Sequence, residues 1–305
     1  MWPSAHGEAI RRMSFDQKNG LRGNPKIKAA NSAEFVEGST LIERLAEMQK
    51  VMKDPLYFAE KYFYIISLDS GKQLIKMYPK QAEMLRAMCS KQRVVTLASR
   101  QCGKSTTYSA FCLWYVLGNK DKNILICANK LKTAVEILSR IQLAYQELPN
   151  WMKPGVVEWN KTTITFDNGC KISAEATSAN SGRGLSVNCL ICDEFAMLKP
   201  GIEAEFLQGV FPVVSSSKTS KIIVVSTPKG MGNEFYRIYT RASLCLEGST
   251  VDESLRWTPV RIDWWDVPGR DEKWRQQQLE TLGGDEKRFA QEYRQQLPRV
   301  GRDAD

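Results

Sequence analysis

Four short runs along the chain are apolar without polar alternation: "RVVTLA" at 93–98, "NILICA" at 123–128, "VNCLICD" at 187–193 and "KIIVVST" at 221–227. Strands covered on both faces read this way, which predicts a mainly parallel sheet flanked by helices. Helical patterns fall between them, "STTYSAFCLWYVL" directly after Lys104 and "LKTAVEILSRIQLAYQE" over 131–147. "TTITFDNGCKISAEA" predicts a hairpin, because Asn168-Gly169 accepts the positive φ angles of a tight turn. Upstream, "TLIERLAEMQKVM" pairs a capping box, Thr40 with Glu43, with an apolar stripe of Leu41, Leu45, Met48 and Met52. Near the other end, "RDEKWRQQQLETLGG" and "DEKRFAQEYRQQL" read as two charged helices broken by Gly283-Gly284.

These patterns predict an α/β fold. The expected organisation is a basic, poorly ordered arm at 1–38 and an amphipathic helix at 39–56 packing with a lid. A nucleotide-binding core then fills 57–251, and a small helical lid or linker subdomain fills 252–305.

Composition changes the picture in three respects. At 305 residues the chain can bury a sizeable core, and no apolar stretch reaches the ~20 residues of a membrane helix. The first residues lack the apolar centre of a signal peptide, so an intracellular protein with no membrane partner is expected. A formal charge of +9 admits a polyanionic partner, since lysine and arginine release counterions from phosphates. Cys189 and Cys192 share a C-x-x-C spacing, but three residues along a strand they face opposite sides, and His6 is remote in sequence. No zinc site is expected there, and the eight cysteines are read as reduced thiols.

The candidate chemistry begins at "ASRQCGKSTT", residues 98–107, where a strand meets a helix. A phosphate cradle needs inward backbone N–H groups, a helix N-terminus, a cation and a hydroxyl for Mg²⁺. Arg100, Gln101, Cys102, Gly103, Lys104, Ser105 and Thr106 supply these, with Lys104 for the β/γ-phosphates and Ser105 for the metal. Ala98 stands where the first glycine of such a loop is usual. "LICDE" ends a buried strand in two acids: Asp193 can hold the metal's water shell and Glu194 can orient and deprotonate the attacking water. In "YPKQ", Tyr78 offers an aromatic face and Gln81 an amide matching adenine N6 and N7. In "STPKG", the hydroxyls of Ser226 and Thr227, ahead of Pro228, can sense a γ-phosphate and relay the change. Arg100 in the loop and Arg183 in "SGRGLS" are alternative arginine fingers.

Taken in order, "YPKQ", "SRQCGKST", "LICDEFAML", "STPKG" and "FAQEY" resemble the ATPase half of the large terminase subunit of tailed bacteriophages, over about residues 54–296. In that family the first glycine is typically replaced and arginine-glutamine precedes the Gly-Lys-Ser/Thr, so Ala98 fits the pattern. The resemblance implies a P-loop NTPase fold of the ASCE/RecA-like type. It implies ATP and Mg²⁺ as cofactors, Tyr78 and Gln81 at the adenine, and Asp193 and Glu194 as Walker B with its catalytic carboxylate. It implies Ser226-Thr227-Pro228 as coupling motif and Arg183 as a finger acting in trans. The implied partners are double-stranded DNA, the portal and prohead, a small terminase subunit, and further copies of the chain in a ring, in the cytoplasm of an infected bacterium. Family members generally carry a second, nuclease domain; the chain stops soon after "FAQEY", so a motor domain without that nuclease is expected. Two other functions share parts of the pattern, another RecA-like translocase or helicase and a non-hydrolysing DNA-binding or scaffolding subunit.

Overall fold

The structure, a computed structural model, describes residues 39–294 except 68, 179–180, 182–185, 216, 218 and 245–255. The arm expected at 1–38 and the Arg183 finger lie outside the described residues.

Helix α1 (Leu41–Lys53) starts on the Thr40/Glu43 capping box, with both reciprocal bonds formed. It stops at Asp54, which caps it and also begins α2 (Pro55–Tyr62) with its side chain, Pro55 taking the first helical position. The single helix expected at 39–56 is therefore two. Its expected partner is corrected as well, because α1 packs on the core: Val51 is fully buried and its carbonyl accepts the Trp114 indole N–H at 2.8 Å. Glu47, 2% exposed, fastens α1 to α2, accepting from Tyr57 and Tyr62 hydroxyls at 2.7 Å and from Lys61 at 2.9 Å.

A two-stranded hairpin, β1 (Tyr64–Ser67) with β2 (Gly71–Leu74), leads to α3 (Pro79–Ser90). The main sheet then follows: β3 (Arg93–Ala98), α4 (Lys104–Leu117), β4 (Asn123–Ala128), α5 (Leu131–Glu147), β5 (Val156–Trp159), β6 (Thr163–Phe166) and β7 (Lys171–Ala176). β8 (Cys189–Asp193), α6 (Ile202–Ser215), β9 (Lys221–Ser226), α7 (Glu234–Leu244) and β10 (Thr258–Ile262) complete it. The order across the sheet is β10-β3-β9-β8-β4-β7-β6-β5, parallel from β10 to β7 and antiparallel beyond. The Asn168-Gly169 hairpin forms, with Gly169 at φ 78°.

The unbroken apolar runs have the reason the sequence suggests, since alternate residues go to opposite faces. Val94, Ile126, Cys189, Ile191 and Val225 join the layer under α2–α5, while Val95, Cys127, Leu190, Cys192 and Val224 join the layer under α6 and α7. Cys189 and Cys192 thus sit on opposite faces. Helix α4 is buried almost all round, as a helix at the centre of its layer must be. No helix among the described residues is long and apolar enough to cross a membrane.

The boundary expected at 252 needs correction, because β10 belongs to the core sheet and hydrogen-bonds in parallel register with β3 from Thr258↔Val94 to Ile262↔Ala98. Its sequence, "TPVRI", holds Pro259 and Arg261 and lacks a continuous apolar run. Pro259 is tolerated because β10 is an edge strand, where a missing N–H need not face a neighbour. The helical part follows it, as α8 (Glu272–Thr281) and the short α9 (Glu286–Phe289), with Trp264, Trp274, Phe289 and Tyr293 packed ring against ring.

Removing the buried anchor tests this account of the N-terminal helices. Glu47→Ala removes the acceptor of two tyrosine hydroxyls and one of the partners of Lys61, and is expected to cost about 2–4 kcal/mol in urea denaturation. A loss below about 1 kcal/mol would mean the α1–α2 junction rests on its apolar contacts alone.

Candidate active site

Strand β3 ends at Ala98, and the segment 99–103 turns the chain into α4. Two of its residues take left-handed backbone: Gln101 at φ 53° and Gly103 at φ 71°. Gly103 is required on two counts, since a Cβ there would also stand 2.4 Å from Gln81 Nε2. The turn places Lys104, Ser105 and Thr106 in the first turn of α4, where free N–H groups and the helix dipole favour an anion.

Strand β8 delivers the two acids, which reach the same lysine. Lys104 Nζ donates to Asp193 Oδ1 at 2.8 Å and to Glu194 Oε1 at 2.6 Å. Burial alone would push the Lys104 ammonium down, but the two carboxylates outweigh it and hold the group above its ordinary value. The acids differ in setting: the Asp193 side chain is 3% exposed and that of Glu194 25%, so water reaches the second and hardly the first. Glu194 itself is left-handed, φ 53° and ψ 38°. Among the described residues only three non-glycine residues have positive φ, and two of them, Gln101 and Glu194, lie in this site. Strain of that kind persists where surrounding contacts impose it.

Strand β9, inserted between β3 and β8, brings the third component. Thr227 donates its hydroxyl to Glu194 Oε2 at 3.2 Å, and the Ser226 hydroxyl accepts from the Ala196 N–H at 3.1 Å. Both are buried, as is Pro228. The residues expected to sense a phosphate therefore hold the second acid and the turn after it.

Tyr78 and Gln81 stand under the loop. The Tyr78 hydroxyl donates to the Cys102 carbonyl, and Gln81 Nε2 to the Gly103 carbonyl at 3.3 Å. Burial raises the phenol above its ordinary range, so it stays a donor. The polar atoms expected at adenine are engaged with the loop backbone here. Cys102 is buried, with its thiol pushed up by burial.

Arg100 is exposed and ion-paired, its Nε 2.5 Å from Glu292, while its backbone N–H donates to the Glu292 carbonyl at 3.0 Å. Arg270, absent from the residues picked out in the sequence, donates to the carbonyls of Arg100 at 3.1 Å and Gln101 at 2.9 Å, and lies over the Trp274 ring. Its one local signal is an aromatic partner, Trp274, four residues on in the first turn of α8. Ser99 completes the attachment, donating its N–H to the Ile262 carbonyl at 2.9 Å.

Ser105 and Asp193 both act on the phenol of Tyr108, which is buried one turn further along α4. A hydroxyl and a carboxylate are oxygen donors of the kind Mg²⁺ takes together with phosphate oxygens and water, so this pair would fit that ion. Among the described residues no three histidines, cysteines or carboxylates gather to bind a metal by themselves.

A parallel sheet with a strand between the loop strand and the acid strand, a left-handed glycine directly before Lys-Ser, and a lysine facing two acids define a P-loop NTPase. The family described as terminase large subunit, T4likevirus-type, N-terminal, matches residues 95–297, and the chain belongs to it. The fold is similar to the large terminase ATPase domain of Thermus phage P74-26, with TM-score 0.54 and 18% identity over 72% of this chain and 92% of that one. It is also similar to the large terminase of bacteriophage HK97, with TM-score 0.62 and 15% identity over 79% and 54% of the two chains. A large terminase from a thermophilic bacteriophage, solved in complex with ADP, gives TM-score 0.51 and 14% identity over 67% and 50%.

Arg270→Ala removes two hydrogen bonds from the loop backbone without touching the acids. It is expected to weaken ADP binding by roughly 5- to 150-fold, two bonds at about 0.5–1.5 kcal/mol each. Unchanged affinity in a fluorescence titration would show that the loop keeps its shape without the arginine.

Proposed function

We propose that residues 39–294 form the Mg²⁺-dependent ATPase of a phage DNA-packaging motor. One observation carries the chemistry: the Lys104 ammonium spans Asp193 and Glu194 at the N-terminus of α4. A cation at that place, behind it a row of free helix N–H groups, suits the β- and γ-phosphates. With a triphosphate bound, Lys104 turns from the acids to the phosphates. Glu194, relieved of its lysine and held on its other oxygen by Thr227, is then free to orient a water and take its proton. Ser105 and Asp193 would hold Mg²⁺, which supplies charge neutralisation on the phosphates. Thr227 links that event to β9 through the Glu194 carboxylate, which supports the coupling role of Ser226-Thr227-Pro228.

Tyr78 and Gln81 act in this reading first on the loop, with the adenine bound beside them. Either arginine can complete the transition state: Arg100 after leaving Glu292, or Arg183 reaching a neighbouring copy in a ring. Membership of the terminase family supports double-stranded DNA as the translocated polymer, the portal and prohead as the docking partner, a small terminase subunit as recognition partner, and the cytoplasm of an infected bacterium as the place. The net charge of +9 suits that polymer. We assign ATP hydrolysis, and not DNA cleavage, to these residues.

Two variants separate binding from chemistry. Lys104→Ala is expected to abolish tight ATP binding, whereas Glu194→Ala should bind ATP normally and lose at least about 100-fold in phosphate release, the scale of a lost general base. The opposite assignment of effects would overturn the roles, and equal phosphate release by wild type and Glu194→Ala would favour a non-hydrolysing scaffold. ATP-dependent unwinding of a forked duplex would favour a helicase. If Arg183 acts in trans, mixing Arg183→Ala with Glu194→Ala subunits should recover part of the hydrolysis. No recovery at any ratio removes it as a finger.

A further inference from the structure

Among the described residues Tyr108 is the largest fully buried side chain, and its hydroxyl has no partner in hydrogen-bonding geometry. An orphaned hydroxyl in a dry interior is destabilising, so its presence there calls for a use. Its position is particular. Tyr108 lies three residues after Ser105 and four after Lys104, on the face of α4 that those residues share. Asp193 and Ser105 are the side chains near enough to act on its oxygen, but neither meets it in hydrogen-bonding geometry. Asp193 is almost as deeply buried, and its Oδ1 is taken by Lys104.

Movement of Lys104 onto bound phosphates, as the proposed ATPase requires, strips this buried carboxylate of the counter-charge 2.8 Å away. A buried carboxylate without a donor is strongly disfavoured. The geometry points to Tyr108 as the replacement donor: its hydroxyl, unused while Lys104 sits on Asp193, bonds the Asp193 carboxylate once the lysine leaves and fixes it toward the metal held with Ser105. Tyr108 is a positioning residue in this scheme, since it touches neither the nucleotide nor the attacking water. The inference rests on the nucleotide-binding role of Lys104 and adds the group that makes the lysine's departure affordable to Asp193.

The test is Tyr108→Phe, which keeps the ring and deletes the oxygen. Without nucleotide its Tm should equal or exceed that of wild type, because an unsatisfied hydroxyl has been removed. Binding of fluorescent ADP in EDTA should fall by about tenfold, and the same loss should persist with Mg²⁺, because Asp193 then lacks its donor in both bound states. The Mg²⁺ concentration giving half-maximal tightening of ADP binding should rise as well, as Asp193 is less well oriented. A fall in the nucleotide-free Tm would overturn the inference, since the hydroxyl would then already be bonded before the lysine moves. Wild-type ADP affinity and wild-type Mg²⁺ dependence in the variant would overturn it equally. If wild type itself binds no ADP, or binds it as well after Lys104→Ala, the nucleotide reading fails and the inference with it. If Lys104→Ala loses binding and Tyr108→Phe does not, only the role of Tyr108 is lost.

Discussion

The ammonium of Lys104 is the group on which the site depends. It is buried, and it is held charged by two carboxylates that come from the end of another strand, 89 and 90 residues away in sequence. The acids need the lysine as much as the lysine needs them, because neither side of the triad survives burial alone. The fold supplies this meeting by placing β8 two strands from β3, with β9 between them carrying the Thr227 hydroxyl to the second acid. A phosphate chain is the natural competitor for the lysine, and its arrival changes the charge balance at both carboxylates at once.

Around that triad the loop is held from three directions. Tyr78 and Gln81 take the Cys102 and Gly103 carbonyls from α3, Arg270 takes the carbonyls of Arg100 and Gln101, and Ile262 takes the Ser99 N–H. Carbonyls turned to these donors leave the N–H groups after Arg100 for an anion, and the left-handed angles at Gln101 and Gly103 are the backbone's share of that arrangement. Glu292 adds a fourth tie through Arg100, so the segment after β10 contributes to the nucleotide loop as directly as the segment before β3.

The sheet's interior strands were legible because burial on both faces leaves an uninterrupted apolar run, and the loop and acid pair because their residue types follow from phosphate and metal chemistry. β10 escaped notice for the converse reason. An edge strand needs no continuous apolar run and accepts Pro259, so "TPVRI" resembles a loop. The division of the N-terminal helix at Asp54-Pro55 was written in the sequence, as a residue able to cap followed by a proline, and the apolar stripe itself ends before it, at Met52. What Tyr78, Gln81 and Thr227 touch was beyond the sequence, since each contact joins segments brought together only by strand order. Arg270 carries no motif at all, and its partners are backbone carbonyls, which no residue type announces.

Strands β3 and β10 run parallel and leave the sheet at the same edge, one into the nucleotide loop and the other into the aromatic-packed helical segment. A force that parts those two exits acts across the strands at one end of their seam, not along them. Such a seam opens by peeling: the ties of Arg270 and Glu292 to Arg100 and Gln101 bear load first, then Ser99 N–H to Ile262, and the pairs back to Val94 and Thr258 only in turn. A small separation is then taken up by these few bonds beside the loop before the ladder between the two strands is loaded.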